Sequence, residues 1–177
     1  RSRGLICWEG NLKRNSSYCF GTDMCGMERR KMNGKLLLRD AVPGDCGALS
    51  RMNRESMGYD YPEEATREKL CSLLADGRNK IFVAELEGRV IGYVHLADYD
   101  VLYAPPMKNI MGIAVSPQYR RKGVGRVLLE AGEKWAAETG AAGVRLVSGE
   151  SRTEAHAFYR SLGYQSPKRQ INLKKVF

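Results

Sequence analysis

The chain has 177 residues, of which 43% are hydrophobic and 28% charged, and it carries a net charge of +9 at pH 7. This length is typical of one domain with a sizeable core, and the run of about 18 apolar residues that a transmembrane helix needs is missing from the sequence. The charge is compatible with general solubility, with nucleic-acid binding or with an anionic cofactor, but no motif that reads nucleic acid accompanies it.

Residues 1–31 differ in composition from the rest of the chain. They hold three of the five cysteines and seven basic against three acidic residues, without sustained hydrophobic periodicity. We expect them to form a tail or an accessory segment, and residues 32–177 to form the domain. The odd cysteine count without a C-x-x-C pair predicts neither a disulfide framework nor a metal site, and a reducing cytoplasm is the simplest setting.

The first half of the domain is predicted to alternate between strands and helices. In chain order we expect a strand over 36–42, helices over 46–57 and 63–74, and two hairpin strands over 80–86 and 90–97. Asp45 is placed to cap the first helix. Cys46 and Cys71 fall inside the two helices, where we expect them to act as small core residues.

The second half continues in the same manner and predicts an α+β fold. Its elements are a loop over 98–108, a strand over 109–115, a helix over 124–139, a strand over 143–147, a helix over 153–162 and a final strand near 171–176. In the first of these helices Val124, Leu128, Ala131 and Trp135 share one face, which is therefore predicted to face the core.

The most informative stretch lies between the strand ending at Val115 and the helix that follows. It contains Gly123 and Gly125 together with four cations, which are Arg120, Arg121, Lys122 and Arg126. The start of a helix presents unpaired N–H groups and the positive end of the helix dipole. This combination predicts a site for a phosphate or pyrophosphate.

Two familiar phosphate-binding motifs are excluded by the residues present. A dinucleotide-binding turn needs a third glycine where Leu128 stands, and a P-loop needs Lys and Ser or Thr directly after its glycine, whereas Lys122 precedes Gly123. The remaining pattern, Arg120-x-x-Gly123-x-Gly125, resembles motif A of the GNAT acetyltransferase superfamily. Downstream, Ala155-x-x-Phe158-Tyr159-x-x-Leu162-Gly163-Tyr164 is similar to a second signature of that superfamily.

The resemblance implies a fold and an activity. The expected fold is a three-layer α/β/α arrangement with a mixed, mostly antiparallel sheet, and the expected reaction moves an acetyl group from acetyl-CoA to a primary amine of a small molecule or a protein. Homodimers are frequent in the superfamily, so a homodimer is compatible with it, whereas nucleic-acid and membrane partners are not implied. A non-catalytic acyl-CoA sensor is the alternative, because a strand carboxylate of many relatives is missing.

The same resemblance assigns the cofactor site. Backbone N–H groups of the glycine loop are expected to bind the pyrophosphate of CoA, and the preceding strand is expected to bond the pantetheine arm. The residues concerned are Ile113, Ala114, Val115, Arg120, Arg121, Lys122, Gly123, Val124, Gly125 and Arg126.

Catalytic roles are likewise implied by the resemblance. Tyr159 matches the tyrosine proposed to protonate the departing thiolate, although it could also serve as a packing residue or bond the sulfur alone. The amide of Val115 is our expected oxyanion donor, with a core strand residue as the alternative. Arg152 stands where many relatives carry a cofactor-contacting asparagine, and it is equally interpretable as a CoA or substrate contact or as a solvated residue.

The general base is left open by the sequence. An alkylamine with a pKa of about 10.4 is almost fully protonated at pH 7, so the reaction needs help in removing a proton. Asp98, Asp100 and Glu150 are candidate bases that could equally be solvated acids, His95 and His156 are further candidates, and a water chain would serve as well. The resemblance implies that the acceptor pocket is built by the first two helices and the loop before the motif strand, which here offer Met52, Glu55, Met57, Tyr59, Asp60, Tyr61, Tyr99 and Tyr103.

Overall fold

The computed structural model describes residues 34–166 and 170–177, so the prediction for residues 1–31 lies outside the described part of the chain. Five strands form one sheet in the order β1-β2-β3-β4-β5. The strands are β1 (Leu36–Asp40), β2 (Asn79–Leu86), β3 (Arg89–Val101), β4 (Ala104–Val115) and β5 (Val144–Leu146). The helices are α1 (Cys46–Met52), α2 (Glu63–Ala75), α3 (Val124–Glu138) and α4 (Thr153–Arg160).

The sheet is mixed, as expected. Strands β1 to β4 are antiparallel neighbours, and β5 joins β4 in parallel. The parallel pairing extends only from Lys108–Ile110 of β4 to Val144–Leu146 of β5. Among the residues that the structure describes, the C-terminal half of β4 therefore has β3 on one side and an open edge on the other.

Each face of the sheet packs against one pair of helices, which gives the expected three layers. Successive side chains of a strand point to opposite faces. In β2, Phe82 and Ala84 join the core cluster that contains Leu128 of α3, whereas Ile81 and Val83 join the cluster that contains Leu49 of α1. The predicted core face of α3 is confirmed for its buried residues Val124, Leu128 and Ala131, and Trp135 is half-buried.

Two segments expected to be irregular or helical differ from the prediction. Residues 98–108 were expected as a loop, but they continue β3 and begin β4. The prediction of a loop rested in part on Pro105 and Pro106. In the structure these prolines lie between the pairs Tyr99↔Met107 and Val101↔Ala104, where the register shifts. A bulge accommodates proline in a strand, since no ladder hydrogen bond depends on its missing N–H.

The helix expected over 46–57 is present over that range, but its type changes at Asn53. The α-helix ends at Met52, and residues Asn53–Met57 form a π-helical turn. Cys46 is buried as expected, but Cys71 is exposed, because α2 turns that position to solvent. Among the helices of the described residues, none combines the length and the apolar composition that crossing a membrane requires.

The final strand expected near 171–176 is wrong. Residues 170–177 have no strand assignment, and the side chains of Ile171 and Leu173 are exposed. Alternating apolar residues favour a strand only where a partner edge is available. The edge strand β5 is three residues long, so it offers little backbone for pairing.

Candidate active site

The open edge of β4 begins at a bulge. His95 pairs with Gly112 and Leu96 pairs with Ile110, so Met111 is the extra residue between them. The parallel contact with β5 ends at Ile110, one residue before the bulge. The bulge and the divergence of β5 together expose the edge of β4 from Met111 to Val115.

The hydrogen-bond pattern shows which amides point to this edge. The Ser116 N–H donates to the Ile91 carbonyl at 2.9 Å, and Val115 lies opposite Gly92. Val115 and Gly92 are therefore a non-hydrogen-bonded pair of the antiparallel ladder. The N–H and C=O groups of Val115, and by alternation those of Ile113, face away from β3 toward the open edge.

The glycine loop follows directly at the end of this edge. Arg121 and Gly123 both have positive φ, at 61° and 87°. The first intrahelical bond of α3 runs from the Val127 N–H to the Gly123 carbonyl at 3.2 Å, so the N–H groups of Val124, Gly125 and Arg126 come before it. Left-handed residues before a helix start form a concave group of N–H donors that suits a phosphate.

The two glycines of the motif are required for different structural reasons. A Cβ on Gly123 would meet no atom within 4 Å, so the constraint there is its left-handed backbone. A Cβ on Gly125 would lie 3.2 Å from Cζ of Phe158. Gly125 therefore allows α4 to pack closely on the first turn of α3, which sequence reasoning had not foreseen.

The loop cations are spread over several roles. Arg120 donates from Nε to the Val115 carbonyl at 3.2 Å. The Lys122 ammonium lies 5.3 Å from the centre of the Tyr119 ring, and Arg126 is 3.9 Å from Glu130 one turn along α3. Contacts of this kind near the surface are individually weak. The three side chains therefore leave the loop positively charged and accessible to a ligand.

Tyr159 lies on α4 within an aromatic group. Its ring centre is 5.4 Å from that of Phe158 and 5.7 Å from that of Tyr164. Burial raises the pKa of the Tyr159 hydroxyl, and the positive charge of Arg152 acts in the opposite direction. Tyr159 is therefore protonated at neutral pH and can act as an acid. The adjacent residue Phe158 packs on Gly125, and this contact fixes the position of Tyr159 relative to the start of α3.

A cleft of about 1220 Å³ opens beside Tyr159. It lies among β5, α4, the second half of α3 and the β3–β4 hairpin, and its polar lining includes Tyr99, Arg145, Ser148, Glu150 and His156. The Ser148 hydroxyl is buried there without a hydrogen-bond partner among the described residues. The cleft thus brings together predicted site residues from three elements, including the candidate base Glu150 and the candidate His156.

Asp98 is placed unfavourably for the role of base. Its carboxylate forms an ion pair with the buried Lys108, whose ammonium lies 4.1 Å from the centre of the Trp135 ring. Asp98 pairs with Lys108 in the ladder. Lys108 lies seven residues before Val115, so roughly 20 Å of strand separates the two positions. Asp98 therefore stabilises the hairpin, and Asp100 lies farther still along it.

His95 is also engaged by the fold. Its Nε2 lies 2.9 Å from Oδ1 of Asn79. Burial lowers the pKa of His95 to about 4, so the ring is neutral at physiological pH. Its hydrogen bond to β2 holds it within the sheet, away from the open edge of β4.

The expected acceptor residues are not equivalent in the structure. Met52 belongs to the core, with 2% of its surface exposed, so it does not line a pocket. Tyr59, Tyr61 and Tyr103 are exposed. Tyr99 stacks on Arg145, with 4.0 Å between the guanidinium carbon and the ring centre.

Three residues near the open edge escaped the sequence analysis. Ser56 donates to the Val115 carbonyl at 3.2 Å, across 59 positions of sequence. The Tyr93 hydroxyl donates to Oδ1 of Asn53, and burial raises the pKa of Tyr93 to about 12. No local sequence pattern signals these contacts, because each joins the π-helical turn to a distant strand.

Comparison with known proteins agrees with this architecture. The model of the acetyltransferase (GNAT) family matches residues 47–164. The chain is 30% identical to an aminoglycoside N(6')-acetyltransferase type 1 of Stenotrophomonas maltophilia, over 76% of this chain and 89% of that protein. It is also 30% identical to a thialysine N-epsilon-acetyltransferase of Sus scrofa, over 72% of this chain and 83% of the relative.

Solved structures share the fold at lower identity. An aminoglycoside N-acetyltransferase crystallised with CoA superposes with a TM-score of 0.73 at 19% identity, covering 81% of this chain and 97% of the other. Together with the family model and the curated relatives, this architecture is that of an acyl-transferring enzyme. The chain belongs to the GNAT family and is an N-acetyltransferase.

Proposed function

We propose that this protein transfers the acetyl group of acetyl-CoA to a primary amine of a polycationic small molecule. The observation that supports this most directly is the open edge of β4, which runs into a loop rich in unpaired amides and cations. The solved relative with CoA bound makes an acyl-CoA the natural occupant of such an edge.

The residues of the loop fit the phosphates of CoA. The N–H groups of Val124, Gly125 and Arg126 supply donors at the helix N-terminus, and the positive φ at Arg121 and Gly123 shapes the concavity. The remaining members of the expected set act through charge or backbone, with Ile113 and Val115 on the open edge for the pantetheine arm. Ala114 is 5% exposed and serves the core, so its side chain has no part in binding.

Bound acetyl-CoA supplies the thioester, and the chain supplies an oxyanion donor and an acid. An edge amide, that of Val115 or its neighbour Ile113, donates a hydrogen bond to the carbonyl oxygen as negative charge develops there. Tyr159, which is protonated at neutral pH because burial raises its pKa, donates its proton to the departing thiolate. The attacking nitrogen loses its proton to Glu150, to His156 or to water.

The acceptor follows from the exposed acids and aromatic rings beside the first two helices. Glu55 is exposed, and Asp60 pairs with Arg54 at the surface at 2.9 Å. Tyr59 and Tyr61 stand exposed next to them. Carboxylates and aromatic faces both attract ammonium groups, which suits an aminoglycoside, the substrate named for one relative, better than a neutral amine.

Two measurements test the proposal. Titration calorimetry should show binding of CoA, and mixing acetyl-CoA with a panel of an aminoglycoside, a lysine derivative and a peptide with a free N-terminus should release free thiol fastest with the aminoglycoside. Glu55→Gln should raise KM for the aminoglycoside, whereas Glu68→Gln, an exposed acid on α2, should not. Absence of CoA binding would refute the proposed function, and a preference for the peptide would refute the acceptor.

A further inference from the structure

Residues 170–177, which we call the arm, carry large apolar side chains that remain outside the hydrophobic core. All eight residues are exposed, and none belongs to a helix or a strand. The exposed fractions of Ile171, Leu173 and Phe177 are 87%, 88% and 105%. Single exposed apolar residues are ordinary, but a contiguous group of them marks a surface that binds a partner. The arm therefore carries an interaction surface.

The arm has the sequence pattern of a β-strand. Ile171, Leu173 and Phe177 occupy alternate positions, and Lys175 completes the series, so these side chains share one face of an extended segment. The Lys175 ammonium lies 5.0 Å from the centre of the Phe177 ring, which agrees with a shared face. Neither glycine nor proline interrupts residues 170–177. Such a segment needs only a neighbouring strand in order to join a sheet.

The outer edge of β5 is the matching free edge. β5 is the last strand of the sheet and pairs with β4 on one side. Among the described residues, the backbone groups on its other side meet no strand, and an edge of this kind accepts an added strand. Val144 and Leu146 of β5 line the cleft of about 1220 Å³, together with Ala136 of α3 and Leu162. The cleft therefore offers an apolar wall directly beside the free edge.

Two further features point to a missing strand at this edge. The Ser148 hydroxyl, two residues after β5, is buried without a hydrogen-bond partner among the described residues. Because buried polar groups are normally hydrogen-bonded, a backbone group arriving along the edge would supply the partner. Gln170, the first residue of the arm, lines the same cleft, whereas the seven described residues after it do not. The arm thus starts beside the edge of its own chain and leaves that edge unoccupied.

The short length of β5 favours a pair of arms over a single one. Three residues provide few ladder hydrogen bonds, so the apolar side chains of the arm must supply most of the attraction. Each copy of the chain holds one arm and one free edge, and a two-fold arrangement therefore satisfies both at once. A stable interface draws on about 20–30 residues of each partner. The eight residues of the arm and the lining of the cleft together reach that number.

We propose that the arm of one copy binds as an added strand to the outer edge of β5 in a second copy, and that the exchange is reciprocal. Ile171, Leu173 and Phe177 face the apolar wall of the cleft that they enter. The arriving arm closes that cleft beside Tyr159, so each copy completes the site of the other. The exchange itself does not depend on the proposed function, whereas its effect on the rate does.

The test measures the mass in solution of four proteins by light scattering over a range of concentrations. They are the parent protein, a variant that lacks residues 170–177, Leu173→Lys and Asn172→Lys. Asn172→Lys is the matched control, because it adds the same charge at the neighbouring position but on the opposite face of the arm. Circular dichroism checks that each variant remains folded.

We expect the parent protein and Asn172→Lys to have the mass of two chains, and the variant without the arm to have the mass of one. Leu173→Lys should raise the dissociation constant of the dimer about 10²-fold or more, because both arms lose a large buried apolar side chain. Since the arriving arm closes the cleft beside Tyr159, the specific activity of Leu173→Lys should fall on dilution together with its mass. That of Asn172→Lys should stay constant over the same range.

Contacts between copies give a direct readout. In a mixture of isotope-labelled and unlabelled parent protein, nuclear Overhauser effects should join Leu173 of one copy to Leu146 of the other. A parent protein with the mass of one chain, or a dimer that survives loss of the arm, would overturn the exchange. The same effects confined to one chain would overturn it too, in favour of an arm that folds back on its own β5. Failure of the parent to bind CoA would refute the proposed function and leave the exchange standing.

Discussion

The helices α3 and α2 cover opposite faces of the same sheet, but they bury different numbers of residues against it. In α3 six residues are buried, including Val124, Leu128 and Leu129, whereas in α2 Leu70 is the buried residue. Glycines bring α3 closer still, since a Cβ on Gly132 would lie 2.9 Å from the side chain of Leu96. The helix that follows the glycine loop, α3, is therefore packed more deeply than α2, the helix beside the acceptor residues.

This difference suggests a division of labour between the two helices. A loop that holds a cofactor, as we propose for the glycine loop, benefits from a deeply packed helix behind it. A helix with one buried residue has few apolar contacts to lose, so its sequence can change with the acceptor at little cost in stability. We expect amide hydrogens of α2 to exchange with solvent before those of α3.

The largest effect should come from the core of α3. Leu128→Ala removes a side chain that is 0% exposed, and we expect it to lower the free energy of unfolding by about 3–4 kcal/mol. Leu70→Ala, at a residue 4% exposed on α2, is the matched variant and should cost about 2 kcal/mol. Urea denaturation measures both. Equal losses would contradict the proposed difference between the two helices.

Tyr159 tests the catalytic role that we propose on the face of the sheet that carries α3 and α4. Tyr159→Phe should lower kcat about 10²-fold, or about 2.7 kcal/mol in barrier, with little change in CoA affinity. Because burial raises the pKa of Tyr159, the parent enzyme should show no loss of rate from this group up to about pH 10. Tyr164→Phe, which loses a hydroxyl bonded to Glu133 at 2.9 Å, is the control. A normal kcat in Tyr159→Phe would exclude the acid role.

His95 tests the other face, since it lies on the same side of β3 as Tyr93. Its folded pKa of about 4 is below the unfolded value of about 6.5. The neutral ring therefore stabilises the fold fully above pH 6.5, and this contribution is lost as the pH falls from 6.5 toward 4. At pH 5 the loss should be about 2 kcal/mol.

Replacement of the ring should flatten this dependence. The difference in unfolding free energy between pH 8 and pH 5 should be smaller in His95→Gln than in the parent protein, because glutamine does not titrate. Denaturation curves at the two pH values measure it. An unchanged difference would show that other groups dominate the acid sensitivity of the fold.

The smallest effect should come from the loop itself. Gly123→Ala introduces a Cβ into open space but at φ 87°, which costs about 1 kcal/mol and should weaken CoA binding about fivefold. Gly77→Ala is the matched control, since a Cβ there also meets open space but the backbone is not left-handed. Calorimetry of both variants separates the conformational requirement from a general effect of added bulk. A CoA affinity that is equal in the two variants would contradict it.

Local patterns predicted much of the site. The glycines and cations between Val115 and α3, the apolar face of α3 and the signature around Tyr159 were visible because each lies within about one turn or one loop of sequence. The strand expected near 171–176 and the loop expected over 98–108 were wrong for a related reason. Whether a strand-like pattern pairs, or a proline pair is tolerated, depends on the neighbouring strand.

The sequence by itself determined the family, the fold class and the glycine loop that we propose binds the cofactor, because short-range patterns encode helix starts, turns and buried faces. Only the tertiary structure decided which amides of β4 are open, that Asp98 pairs with Lys108, and that Ser56 meets the Val115 carbonyl. These features arise from contacts between residues far apart in the chain. Their geometry depends on the register and divergence of the strands, which composition and periodicity do not specify.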